Sequence, residues 1–205
     1  MAIFHARMQV IGRGTGRSVV AAAAYRAAEL LHDERQDRAH DFTAKAGVVH
    51  SEIMLPSGAP ERWRDRATLW NEVEATERRK DAQLARELEF SIPRELSKAE
   101  AIRLARDFVA EQFVSRGMVA DVNVHWVMAK DGEMQPHAHV MLTMRGIEAG
   151  QAEEGRFGPK AREWNSRELY EGVRERWAML ANERLAEHGH DVRIDHRSYA
   201  EQGIA

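Results

Sequence analysis

Three histidines crowd one short stretch of this chain. His137 and His139 form a His-x-His pair inside Gln135-Pro136-His137-Ala138-His139, and His125 lies a hairpin's length upstream. Strand side chains alternate with period 2, so such a pair puts two imidazoles on one face. The flanks Asn123-Val124-His125-Trp126-Val127-Met128 and Val140-Met141-Leu142-Thr143 read as strands. Between them, Lys130-Asp131-Gly132-Glu133 carries Asp-Gly, a strong hairpin signal. Two antiparallel neighbours then bring three imidazoles to one face. Three neutral imidazoles bind a divalent ion and leave coordination positions open for a substrate. The plainer reading is a solvated hairpin with incidental histidines.

Two further elements carry chemistry. Tyr25, one of three tyrosines with Tyr170 and Tyr199, sits in an alanine-rich segment after Gly12-Arg13-Gly14-Thr15-Gly16-Arg17. The alanines let a large partner approach the helix. Arg13, Arg17 and Arg26 bracket Tyr25 with positive charge, and the glycines let backbone near a phosphate. This Gly-x-Gly-x-Gly lacks the spacing of a dinucleotide fingerprint. A core aromatic packed on the sheet is the competing reading. In Arg86-Glu87-Leu88-Glu89-Phe90, Glu87 and Glu89 share one strand face. A carboxylate beside a metal face acts as a base or orients a ligand; an ordinary solvent-facing surface is the better reading for Glu89.

The elements that must position these groups follow from pattern. Residues 3–11 read as a strand. Ser18 caps a helix running to residue 31, and residues 32–46 read as irregular. A strand at 48–55 stops at Pro56, and 60–80 reads as a charged amphipathic helix. A strand at 83–92 is closed by Pro93. Ser97 and Glu100 make a capping box for a helix at 97–116. A long helix at 163–188 ends at Gly189, and 192–194 reads as a last short strand. This order predicts an α/β (α+β) domain: an antiparallel-rich sheet covered by helices on one face.

Composition sets the frame. The chain has 205 residues, 43% of them hydrophobic, enough for one domain with a real core. There are no cysteines, which excludes a disulfide framework, a thiolate zinc site and a cysteine nucleophile. No apolar run approaches the ~20 residues of a membrane span, and no signal peptide is evident. A cytoplasmic protein without membrane insertion is expected. The net charge is −3, from 33 acidic and 30 basic residues, so only local clustering can serve nucleic acid. Were nucleic acid the partner, Arg7, Arg13, Arg17 and Arg26 would face it. Trp126 and Trp164 are candidates for base stacking, with core packing preferred for Trp126.

Taken together, these segments resemble the MobA/MobL (MobQ) family of conjugative relaxases. The resemblance rests on residues 2–5, 16–26 and 47–56, on Leu69-Trp70-Asn71, and on Ala85-Arg86-Glu87-Leu88-Glu89. Ile92-Pro93-Arg94-Glu95-Leu96 and Pro136-His137-Ala138-His139 extend it over nearly the whole chain. It implies an HUH-endonuclease, ferredoxin-like fold. It makes Tyr25 the nucleophile and His125, His137 and His139 the ligands of a divalent ion, Mg²⁺ or Mn²⁺. Glu87 matches an active-site glutamate, whereas the position of Glu89 is not acidic throughout the family. The implied reaction is tyrosine attack on DNA at the origin of transfer, giving a 5′-phosphotyrosyl link and a free 3′-OH. The implied partners are single-stranded origin DNA, accessory relaxosome proteins and the conjugative secretion channel, with transfer into the recipient cell. Two departures stand out: a longer gap between His125 and His137 than in some relatives, and Gln135 where Asn is usual. Both fall in the hairpin, so a longer turn with its ligands intact is expected. Family proteins are usually longer, with helicase-like or primase-like regions, so residues 1–205 are expected to be one relaxase domain of a longer protein. A non-catalytic DNA-binding or replication-initiation module, or a phosphoesterase using water, are the alternatives.

Overall fold

The chain order is β1 (Ala6–Gly12), α1 (Val19–Ala27), β2 (Leu30–Asp33), β3 (Arg38–Asp41), β4 (Val48–Met54), α2 (Arg66–Thr76), β5 (Gln83–Ser91), α3 (Lys98–Gln112), β6 (Ala120–Met128), β7 (Met134–Thr143), β8 (Arg145–Glu148), β9 (Arg156–Lys160) and α4 (Arg167–Glu187). These come from a computed structural model that describes residues 4–148, 154–198 and 200–203; the first residue of the strand expected at 3–11 lies outside them, as does Tyr199. Five strands form an antiparallel sheet in the order β1-β5-β7-β6-β4.

Period-2 alternation sorts the sheet into two faces. Leu88, Phe90, Val122, Val124, Ala138, Val140 and Leu142 face α3 and α4. There Phe90 packs on Trp177 and Phe108, ring centroids 4.3 and 5.3 Å away. Ile11, Ile53, Ala85 and Met141 face the other way, under α1 and α2. Helices therefore cover both faces, not one. The alanines of α1 permit this, because Ala23 and Ala24 are fully buried and let the helix sit close to a face that also carries polar groups.

Capping explains most boundaries. The Ser18 hydroxyl accepts from the Ala21 N–H, and Ser97 with Glu100 forms the expected capping box. Helix α1 stops at Ala27 rather than at residue 31, because Ala28 turns left-handed (φ 58°). The segment expected as irregular holds the β2–β3 hairpin. Asn71 of α2 brackets it, donating to the His32 carbonyl at 2.8 Å and accepting from the Glu34 N–H at 2.9 Å. The helix expected at 60–80 is broken at Asp65. This residue is extended and its carboxylate accepts from the Thr68 N–H, so a single turn at Glu61–Arg64 precedes a fresh start of α2. Residues 192–194 are not a strand: the Asn182 amide of α4 holds Ile194 by its N–H and carbonyl, each at 2.8 Å, in place of a strand partner. Gly189 (φ 74°) ends α4 as expected.

A buried polar bracket fixes α2 to the site face. Arg66 donates to both oxygens of Asp121 at 2.9 and 3.0 Å, and Trp70 donates to the same carboxylate at 2.8 Å. Asn123 donates to Asp121 at 3.0 Å and accepts from Ser51. Asp121 and Asn123 lie on β6 directly before His125, so this bracket holds the strand that supplies a site residue.

Candidate active site

The hairpin β6–β7 places the three histidines as the spacing requires. His125 stands opposite His137, and His139 opposite Asn123. The turn is five residues long, closed by Ala129 donating to Glu133 and by Gly132 at φ 82°. The three ring centroids lie 4.8 to 5.2 Å apart. One nitrogen from each ring falls within 4.8 Å of the others.

Each ring is also held from behind. His125 Nε2 meets the Arg26 carbonyl at 2.8 Å, His137 Nδ1 the Gln135 carbonyl at 3.0 Å, and His139 Nδ1 the Glu87 carboxylate at 2.8 Å. Those acceptors require N–H on the bonded nitrogens, which leaves His125 Nδ1 and the Nε2 atoms of His137 and His139 as lone-pair donors. An ion with bonds of ~2.1 Å spaces such nitrogens ~3 to 3.5 Å apart, so small side-chain rotations close the set around it. The donors fit a divalent cation. Burial favours the neutral form that binding needs: it pushes the His125 pKa down to about 4, against the pull of the Arg26 carbonyl. Burial also lowers His137.

Tyr25 lies on α1 with its ring half exposed. The next residue, Arg26, links this helix to the metal set twice. Its carbonyl takes the His125 bond, and its guanidinium grips both oxygens of Glu87. Gln9 adds a bond to Glu87 at 2.6 Å. Glu87 is thus 1% exposed, with Arg26, Gln9 and His139 around it. Burial alone would raise its pKa, but the bonds from His139 and Arg26 prevail and hold the carboxylate well below its usual range. Glu89 stands opposite His139 on the same face, one strand over. Tyr170 is spent elsewhere: its hydroxyl donates to the Ala6 carbonyl beneath the other face.

The candidate arginines divide. Arg7 and Arg17 are exposed. Arg17 lines a cleft of about 340 Å³ with Ile11, Ser18, Ala21, Ala22 and Arg26, on the helix that carries Tyr25. Arg13 turns inward, pairing with Glu74 and donating to the carbonyls of Glu74, Glu77 and Arg79. Arg26 is committed to Glu87 and the Ala22 carbonyl. The expectation that Arg13 and Arg26 face DNA is revised accordingly: inward carboxylates and carbonyls outbid solvent for them. Trp126 and Trp164 both pack on the α3–α4 side, away from Tyr25. Sequence reasoning missed Lys45 and Phe42, which touch the Tyr25 ring from the loop after β3; no motif flags either.

Known proteins resemble this chain in sequence and in fold. Residues 17–205 match the model of the MobA/MobL family. The chain is 40% identical over its whole length to a conjugal transfer protein, TraA, of Agrobacterium fabrum, and 38% identical to a mobilization protein, MobL, of Acidithiobacillus ferridurans. It spans only 20% and 60% of those relatives' own lengths. A solved structure concerned with the molecular basis of vancomycin resistance transfer in Staphylococcus aureus superposes with a TM-score of 0.87 at 31% identity, covering 97% of this chain and 100% of that one. The conjugative relaxase TrwC, in its metal-free complex with origin-of-transfer DNA, shares the fold at a TM-score of 0.56 and 13% identity, over 98% of this chain and 85% of that one. Among the described residues, no helix is long and apolar enough to cross a membrane. The chain belongs to the MobA/MobL family.

Proposed function

We propose that this chain is the DNA-nicking domain of a conjugative relaxase, with Tyr25 as nucleophile. The observation that carries the reading is the attachment of the helix bearing Tyr25 to the histidine set: His125 binds the carbonyl of the very next residue. The backbone beside the phenol is thereby tied to one of the imidazoles. The Tyr25 hydroxyl oxygen attacks the phosphorus of a DNA phosphodiester in line with the departing O3′. A Tyr–O–P bond forms as the P–O3′ bond breaks; the phenolic proton passes to solvent, and the departing O3′ takes one up from solvent to become a free 3′-OH. The phosphotyrosyl bond conserves the energy for religation, so no nucleotide is consumed. His125, His137 and His139 would hold a divalent ion, Mg²⁺ or Mn²⁺, which would supply charge stabilisation to the phosphate.

Glu87 acts in this reading as the orienter of His139, not as the base. Both its oxygens are taken by donors, and it is held ionised well below the usual range. Arg7 and Arg17 track the DNA backbone, Arg13 straps the loop after β1 to α2, and Arg26 couples helix to site. The substrate is single-stranded DNA at an origin of transfer. In the cell the domain works in the cytoplasm with accessory relaxosome proteins and a conjugative secretion channel, and it travels with the DNA into the recipient. Incubation of the chain with labelled single-stranded origin DNA and Mn²⁺, followed by a denaturing gel, tests the reading. A covalent protein–DNA band that disappears in Tyr25→Phe supports it. Cleavage without a covalent band points instead to water as the nucleophile, and binding without cleavage to a non-catalytic module.

A further inference from the structure

Lys45 lies in the loop between β3 and β4. Its ammonium donates to the Tyr25 carbonyl at 2.8 Å and sits 4.0 Å from the centroid of the Tyr25 ring. Phe42 meets the same ring edge-on, centroids 5.2 Å apart. The last carbonyls of a helix lack partners within it. In α1 the Tyr25 carbonyl is taken by Lys45 and the Arg26 carbonyl by His125. The lysine is therefore on the ring and on the backbone of one residue at once. Among the described residues, the Tyr25 carbonyl is its one hydrogen-bond acceptor, and an ammonium has three donors.

Part of this placement serves the fold, since Lys45 caps a free carbonyl at the end of α1 and covers one exposed ring. Against that, Lys45 sits near the Arg26 guanidinium, with no carboxylate bridging to it among the described residues. Positive charge gathers where the proposed reaction develops negative charge. We infer that Lys45 is a positioning residue for Tyr25: it fixes the ring and the end of α1, and its charge offsets the charge that grows on the phenol oxygen as it attacks. This rests on Tyr25 being the nucleophile.

The test uses the full chain with single-stranded origin DNA and Mn²⁺. Adduct formation is measured as a single-turnover rate at saturating DNA, and affinity separately by anisotropy. Lys45→Met should slow the rate by about 100-fold, as for loss of one electrostatic stabiliser, while Kd stays within about 3-fold, so that the loss falls on the chemical step. Lys45→Arg should recover most of the rate, because the charge and the contact with the ring are retained. Lys45→Gln keeps a donor for the Tyr25 carbonyl but no charge, and should be as slow as Lys45→Met; it also decides the matter if Lys45→Met does not fold. A Lys45→Gln chain as fast as the wild type overturns the inference and leaves Tyr25 as nucleophile untouched. Rate and affinity falling together in all three variants, Lys45→Arg included, also overturn it, reducing Lys45 to a strut. A wild-type chain that forms no adduct removes the reading of Tyr25 and the inference with it.

Discussion

His125 bonds to the main-chain carbonyl of Arg26 at 2.8 Å, so one imidazole of the histidine set grips the residue that follows Tyr25. The same Arg26 reaches Glu87 with its side chain, and Glu87 holds His139. One residue therefore ties the phenol-bearing helix to two of three imidazoles. Tyr25 is half exposed, and its ring meets Phe42 edge-on. Tyr25→Phe should accordingly abolish adduct formation while leaving Kd for single-stranded DNA within about 3-fold, since binding rests on many phosphate contacts. A covalent adduct in that variant, mapped by peptide sequencing to Tyr170 or Tyr199, would move the nucleophile.

Chelation should stop cleavage and added Mn²⁺ should restore it. Alanine at His125, His137 or His139 should weaken Mn²⁺ binding in calorimetry, each strongly, because two imidazoles hold a labile ion poorly. His50, which pairs with Glu52 away from the set, serves as the control. Equal Mn²⁺ affinity in a His137→Ala chain would show that the ion binds elsewhere.

Glu87→Gln removes charge and keeps shape. Arg26, 14% exposed at the side chain, then loses its carboxylate. Breaking such a pair costs about 3 kcal/mol, and loss of the partner that orients a ligand lowers metal affinity by about 10- to 100-fold. Melting curves and Mn²⁺ titrations check the two effects. A general base at this position would instead leave metal affinity unchanged and alter only the rate.

Acid should weaken the metal-free fold in two stages. His125 is depressed to about 4, below its ordinary 6.5. Its contribution is complete above pH 6.5 and is lost as pH falls towards 4, since the unfolded chain takes up the proton first. The total is up to about 3 kcal/mol. Glu87 is also depressed, so its contribution is present above pH 4.5 and lost below it. His125→Gln should flatten the first stage of a Tm-against-pH curve and leave the second. Equal Tm at pH 7 and pH 5 in the wild type would contradict the assignment.

Salt dependence separates the arginines. Each phosphate contact contributes about 0.7 to the log–log slope on single strands. Arg17→Ala should flatten the slope by about that amount with little change in Tm. Arg13→Ala should do the reverse, because its guanidinium is spent on Glu74 and three carbonyls. A flatter slope in Arg13→Ala would return that residue to the DNA surface.

The histidine hairpin was legible because period-2 alternation and Asp-Gly act locally. The capping box of α3 and the stop at Gly189 were legible for the same reason. What escaped the sequence reading depends on distant partners. The strands Leu30–Asp33 and Arg38–Asp41 are short and charged, and Asn71, some 40 residues on, fixes one end of their hairpin. Asp65 interrupts what reads as one amphipathic helix, because a cap and a helical surface residue look alike until the backbone turns. Arg13 and Arg26 read as solvent-facing cations, since nothing near them in sequence announces Glu74 or Glu87. Lys45 carried no signal at all, because its meaning comes only from Tyr25 lying across from it.

The sheet partitions the molecule into two ledgers. Phe90, Phe108 and Trp177 fill one side, and the histidines, Glu87 and the tyrosine helix occupy the other. A mutational scan scored by melting would light up both sides, because Ile11, Val20, Leu69 and Trp70 build a second core under α1 and α2, whereas one scored by adduct formation would pick out the polar groups on the histidine side alone. The overlap of the two scans would be confined to residues serving both, foremost Arg26 and the Asp121–Arg66 bracket beneath His125. Under the proposed nicking activity, directed evolution towards a new target sequence can draw on the stability of the α3–α4 core without touching the histidine side.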